Sequence, residues 1–165
     1  RNGEISSPEQ IEAKFDLKKT IQVGPNIDSA HLRTIISGWG HATPADSDGR
    51  RCAEWCFRTH NIKIDDVNTF SHYMGPIGCS QNPINNQGGN WENDRAGWCP
   101  GMVVPVRINK FDNNISGKNM RYEYDFKDWV NDFQTTTDNK NGYYAISSFL
   151  VLKSNQEIQR ATIIE

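Results

Sequence analysis

Five consecutive residues, Cys52-Ala53-Glu54-Trp55-Cys56, set a carboxylate inside a short span bracketed by thiols. If the two cysteines bridge, the ring fixes the direction of Glu54 and lowers its conformational freedom. A carboxylate partly withdrawn from water beside Trp55 suits general acid/base work. Unbridged, Glu54 is an ordinary solvated turn residue. An extended step between the two cysteines covers about 13 Å, whereas a disulfide needs Cα atoms within about 7 Å, so this bridge demands a tight turn. A second stretch, Asp94-Arg95-Ala96-Gly97-Trp98-Cys99, holds two more candidates. Arg95 offers a planar fork suited to a carboxylate or to sugar oxygens. Trp98 has a flat apolar face that could stack on a pyranose while its N–H donates a hydrogen bond. The plainer alternative makes Arg95 a structural clip to Asp94 or another acid, and Trp98 a core residue. Trp39 lies between Gly38 and Gly40. Such glycines allow a close backbone approach and leave an indole uncovered, so Trp39 is either a ligand platform or a core residue at a tight bend.

The four cysteines are Cys52, Cys56, Cys79 and Cys99. An even count in a polar chain rich in Trp and Asn points to two disulfides and an oxidising compartment. The rival is a zinc site, but a zinc ribbon prefers two tight pairs, and Cys79 and Cys99 lie far apart. Three pairings are possible, and the residues alone do not choose among them. His31, His41, His60 and His72 form neither a His-x-His nor a helical His-x₃-His pattern, so no metal is expected. His31 and His60 sit in strand-like stretches and read as structural, while His41 follows the Trp39 turn. No nucleophile elbow, phosphate loop or dinucleotide fingerprint is present.

These side chains must be positioned by a chain of 165 residues, a length that favours one domain. Its net charge of −2 argues against a general nucleic-acid binder. No run approaches about 20 apolar residues, so no membrane span is expected. The sequence begins at Arg1 without a recognisable signal peptide, so a processed protein or an excised domain is expected. Residues 1–14 are polar and read as a linker or frayed lead-in, although 9–14 could make a helical turn, as could 126–133. Residues 15–165 carry short strand signals between Gly and Asn turns. Met120, Tyr122, Tyr124 and Phe126 alternate with charged residues, which predicts one apolar inner face. Met102, Val104, Val106 and Ile108 alternate with Val103, Pro105, Arg107 and Asn109, and Pro105 demotes that strand to an edge or a bulge. Tyr143–Leu152 is apolar on both parities, which predicts a central strand covered on both sides. The sum is an all-β antiparallel sandwich. The stretch 78–101 is a long, Trp-bearing loop bracketed by cysteines, where a binding site would be built.

Four strings carry a resemblance: Leu32-Arg33-Thr34-Ile35-Ile36-Ser37-Gly38-Trp39-Gly40-His41-Ala42, Cys52-Ala53-Glu54-Trp55-Cys56-Phe57-Arg58-Thr59-His60, Asn82-Pro83-Ile84-Asn85-Asn86-Gln87 and Asp94-Arg95-Ala96-Gly97-Trp98-Cys99-Pro100-Gly101-Met102. With Tyr144–Phe149, they resemble the C-terminal domain of the bacterial peptide-N-glycosidase F family, over roughly residues 14–154. The resemblance implies a jelly-roll sandwich of about eight strands, paired with an N-terminal jelly-roll domain across a glycan-binding cleft. It implies a secreted or periplasmic amidohydrolase without a cofactor, acting on N-linked glycopeptides or glycoproteins at the amide between Asn and the first N-acetylglucosamine. It implies pairing of Cys52 with Cys56 and of Cys79 with Cys99. Glu54 would be a functional carboxylate facing the cleft, with Arg95, Trp39 and Trp98 contributing to sugar recognition. The family's primary catalytic carboxylate belongs to the N-terminal domain, which this sequence does not include, so the chain alone is expected to be inactive. Two other readings stand beside it: a non-catalytic glycan-binding module, and half of a copper oxidase or monooxygenase, which would need converging His and Met ligands.

Overall fold

The computed structural model describes residues 18–41, 49–79, 92–127 and 142–164. The candidate helical turn at 9–14, the lead-in 1–14 and the Asn82–Gln87 string lie outside these residues, as does nearly all of 126–133. Among the described residues every regular element is a strand: β1 (Lys18–Gln22), β2 (Ser29–Trp39), β3 (Arg58–Ile64), β4 (Val67–Met74), β5 (Pro76–Ile77), β6 (Arg95–Ala96), β7 (Val106–Lys110), β8 (Asn119–Asp125), β9 (Tyr143–Lys153) and β10 (Thr162–Ile163). All pairings are antiparallel. One sheet runs β10-β1-β8-β3-β4, a second runs β7-β2-β9, and β5 and β6 form a short ribbon. The fold is an all-β sandwich of jelly-roll type.

The alternation of apolar residues sets the inner faces. On β8, Met120 and Tyr124 are buried and Arg121 is exposed, as a period of two requires. Leu32 and Ile36 of β2 meet Ile62 of β3, Met74 of β4, Ala96 of β6 and Tyr124 in the main core. A second cluster of Val23, Ile27, Ala30, Ile115 and Met120 closes the far end. The strand expected from Met102 starts only at Val106, directly after Pro105, and β7 is an edge strand, a place that tolerates a residue without an N–H at its start.

The prediction for Tyr143–Leu152 needs correction. β9 pairs along its whole length with β2 and stands at the edge of its described sheet; the central strand is β2. Its even-numbered residues from Tyr144 to Leu152 share register with the inward residues of β2, and its odd-numbered residues face outward. Tyr143 and Phe149 on that outward side are about half exposed (50% and 52%). Apolarity on both parities thus marks a strand whose second face no described strand covers, rather than one buried twice over.

Candidate functional site

The end of β2 builds the site. The chain leaves that strand through Trp39-Gly40-His41, and His41 pairs with Ala53 in an isolated antiparallel bridge. Cys52 and Cys56 are joined, with Cα atoms 4.8 Å apart. The span is the tight turn that the spacing demands, closed by Trp55 N–H donating to Arg51 C=O at 3.1 Å. Two glycines let it lie flush against the sheet. A Cβ on Gly38 would sit 2.1 Å from the Ala53 carbonyl oxygen, and one on Gly142 would sit 2.4 Å from that of Cys52. The close approach expected beside Trp39 is therefore made by the disulfide loop itself.

Glu54 is stitched in through its backbone and its side chain. Its N–H donates to Gly40 C=O at 3.1 Å, and its C=O accepts from Ala96 N–H of β6 at 2.8 Å. Its carboxylate accepts from Arg95 Nε on Oε1 at 2.8 Å and from Gly40 N–H on Oε2 at 3.1 Å. His41 Nε2 lies 3.9 Å from Oε2. The Glu54 side chain keeps 15% of its exposure, so one rim of the carboxylate still meets solvent.

Arg95 is the hub. It is 5% exposed, donates to Glu54, and donates from Nη1 to Asn93 C=O at 3.0 Å. Its guanidinium carbon lies 4.9 Å from the Trp55 ring centre and 5.1 Å from that of Trp98, so the cation sits against two indole faces. Trp98 in turn stacks on Trp39, with centroids 3.8 Å apart and planes inclined by 22°. The four residues singled out from sequence are thus brought together as one layered cluster. The acid that Arg95 clips is Glu54, not Asp94. The indole N–H groups are already used: Trp98 donates to Gly38 C=O at 2.6 Å and Trp39 to Ser37 Oγ at 2.8 Å. What Trp39 and Trp98 have to offer a ligand is ring surface.

Cys79 and Cys99 are also bridged, with Cα atoms 5.4 Å apart, which anchors both ends of the long loop and so the position of Arg95 and Trp98. An open hollow of about 550 Å³ is lined by His41, Arg50, Arg51, Trp55, Asn93 and Asp94, chain neighbours of the cluster; Glu54, Arg95, Trp39 and Trp98 are not among its lining residues. Such a volume lies within the roughly 300–1,000 Å³ of small-ligand sites. Sequence reasoning missed Arg50, Arg51 and Asn93, whose only signal is proximity to Cys52 and Arg95. It also missed Arg58, whose Nε donates to the sulfurs of Cys52 and Cys56 at 3.1 and 3.2 Å. Among the described residues no three His, Cys, Asp or Glu side chains gather as a metal site.

The family described as "Peptide-N-glycosidase F, C terminal" matches residues 7–151. Peptide-N(4)-(N-acetyl-beta-D-glucosaminyl)asparagine amidase F of Elizabethkingia miricola is 54% identical over 148 residues, covering 89% of this chain and 41% of that protein. The solved structure of PNGase F, a glycosylasparaginase from Flavobacterium meningosepticum, is similar with a TM-score of 0.81 at 53% identity, covering 90% of this chain and 47% of that one. A structure of recombinant N-glycanase F gives a TM-score of 0.80 at 54% identity, over 89% of this chain and 46% of that one. The chain spans less than half the length of each of these relatives.

Proposed function

The chain belongs to the peptide-N-glycosidase F C-terminal family, and from that premise we propose that it is the C-terminal half of an amidohydrolase acting on N-linked glycans. The bond cut is the amide between the Asn side chain and the first N-acetylglucosamine. Water adds to the amide carbon, the peptide keeps an Asp, and the sugar leaves as a glycosylamine that then loses ammonia. Glu54 is the carboxylate this half contributes. Held on both oxygens, it acts as a fixed acceptor that orients the attacking water or stabilises charge developing on the amide. Arg95, buried beneath it, is a positioning residue, while Trp39 and Trp98 offer ring surface to a pyranose. The primary carboxylate comes from an N-terminal jelly-roll domain, and the two disulfides fit a secreted or periplasmic protein.

The observation that carries this reading is the Glu54 clamp: a carboxylate on a disulfide-closed loop, bonded to a buried guanidinium, one residue from Trp55, which lines a ligand-sized hollow. The outward face of β9 and β7 supports the two-domain arrangement. Phe149 and Ile108 flank Arg33 in one row there and are both about half exposed. We assign that face to the N-terminal domain.

The test compares the chain alone with the chain joined to such a domain, using a glycopeptide cleavage assay beside tryptophan-fluorescence titration with chitobiose. The two-domain protein releases glycan and the chain alone does not. Chitobiose binding without release by the two-domain protein would instead make this half a glycan-binding module.

A further inference from the structure

The hollow next to the Glu54 clamp has walls of its own. Among the described residues, Trp55 is the one indole that lines it. Its ring lies against the Arg95 guanidinium, and no hydrogen bond holds its indole N–H, whereas those of Trp39 and Trp98 are committed. Asn93 and Asp94 form a second wall. Both walls are anchored. Trp55 and Arg51 are tied by the loop hydrogen bond across the Cys52–Cys56 turn, and the Asn93 carbonyl accepts from buried Arg95. A site built this way is largely formed before its ligand arrives.

The chemistry of these walls selects an occupant. Arg50 sets its charge over the Phe57 ring at 4.2 Å. The charges left to the hollow are one of each sign, Arg51 and Asp94, both exposed. An anion would gain the first and be repelled by the second, and a cation the reverse. A neutral ligand rich in hydroxyls meets neither penalty. The guanidinium and the indole N–H donate to its oxygens, the carboxylate accepts from its O–H groups, and the Asn93 amide does both. The apolar face of a pyranose suits the half-buried Trp55 ring. His41 joins this place to the clamp, since it lines the hollow and its Nε2 lies 3.9 Å from Glu54 Oε2. A group in the hollow therefore stands beside the bond that is cut, not on it.

Resting on the amidohydrolase reading, we propose that the hollow binds a neutral hexose of the glycan beyond the first N-acetylglucosamine, stacked on Trp55 and hydrogen-bonded by Arg51, Asn93 and Asp94. These residues then set specificity. Binding energy gained on a remote sugar favours extended glycans over short ones.

The test has two arms. In the first, the intact chain is titrated with a branched trimannoside and followed by tryptophan fluorescence, with the same trimannoside carrying one phosphate as the charged probe. A saturable signal is expected from the neutral sugar. It should weaken by about tenfold in Asp94→Ala and in Arg51→Met, as for one lost hydrogen bond to a charged group, while circular dichroism stays that of the parent. In the second, a two-domain protein cleaves one glycopeptide bearing a mannosylated glycan and one bearing chitobiose alone. The ratio of their kcat/KM values should favour the mannosylated substrate and fall by about tenfold in each variant, through KM. No saturable trimannoside signal, tighter binding of the phosphorylated probe, or parental ratios in both variants would overturn the proposal. A ratio that follows peptide length instead of glycan length would also overturn it and give the hollow to the peptide. Failure of the parent to cleave either substrate would strike the amidohydrolase reading, and the first arm would still decide whether the hollow takes a neutral sugar.

Discussion

At the scale of single residues, the decisive feature is that Glu54 and Arg95 satisfy one another out of bulk water. A buried ion pair is not a large net stabiliser, but removing one partner leaves the other charge uncompensated. Arg95 is the more buried of the two, so Arg95→Met should destabilise the chain by about 3 kcal/mol, the lower end of the range for broken buried pairs, because Glu54 keeps some solvent. The midpoint of urea unfolding measures this. A second residue-scale consequence concerns His60. It is fully buried, and its Nδ1 accepts from Lys127 N–H at 2.9 Å, while Nε2 has no hydrogen-bond partner. Burial foremost, then the positive charges of Arg58 and other neighbours, lowers its pKa from 6.5 to about 3. Burial also lowers the pKa of His72. The unfolded chain therefore takes up the His60 proton first as pH falls. Stability is full above about 6.5 and drops between there and about 3, by up to about 1.4 kcal/mol per pH unit from His60. Denaturation midpoints followed from pH 7 to 4 should fall, and the slope should lessen in His60→Asn if the variant folds.

At the scale of elements, a loop carries the site and a strand end fixes the loop. Gly38 belongs to β2, yet its role is to admit the Ala53 carbonyl. Gly38→Ala should push the loop outward, at about 1–3 kcal/mol for an overpacked contact. It should also lower the rate of a two-domain protein with both disulfides intact, which thiol titration verifies. The same strands show what could be read beforehand. Alternation at Met120–Phe126 gave the inner face of β8, and Pro105 gave the edge position of β7 but not its start at Val106, because period two and a missing N–H are local properties. The place of β9 was not legible. Apolarity on both parities reports that two faces avoid water, not which molecule covers the second. The layered order Trp55–Arg95–Trp98–Trp39 was also hidden, since Arg95 and Glu54 are 41 residues apart and only the antiparallel return of β6 brings them together. What the residues did give was the shortlist, because a carboxylate between two cysteines and a Trp between two glycines are unusual in local terms.

At the scale of the whole molecule, the described residues form a sandwich in which one sheet carries exposed apolar side chains on its outer face. Phe149, Ile108 and Val106 on the β7-β2-β9 face are about 40–50% exposed, with Arg33 between Ile108 and Phe149, and exposed apolar side chains beside a charge suit an interaction site. Phe149→Asp should leave the isolated chain folded and more soluble, and should weaken its association with an N-terminal jelly-roll domain by at least about tenfold, read by titration calorimetry. Unchanged association would move the interface elsewhere.

Most depends on Glu54 acting on the substrate rather than merely closing a structural clip. The direct measurement is glycopeptide cleavage by a two-domain protein carrying Glu54→Gln, an isostere that can keep an acceptor oxygen toward Arg95. A fall in kcat of about 10²–10⁴, measured well below the unfolding transition of the variant, is the predicted result; the unfolding midpoint falls as well, because Arg95 loses its counter-charge. A rate within tenfold of the parent would contradict it.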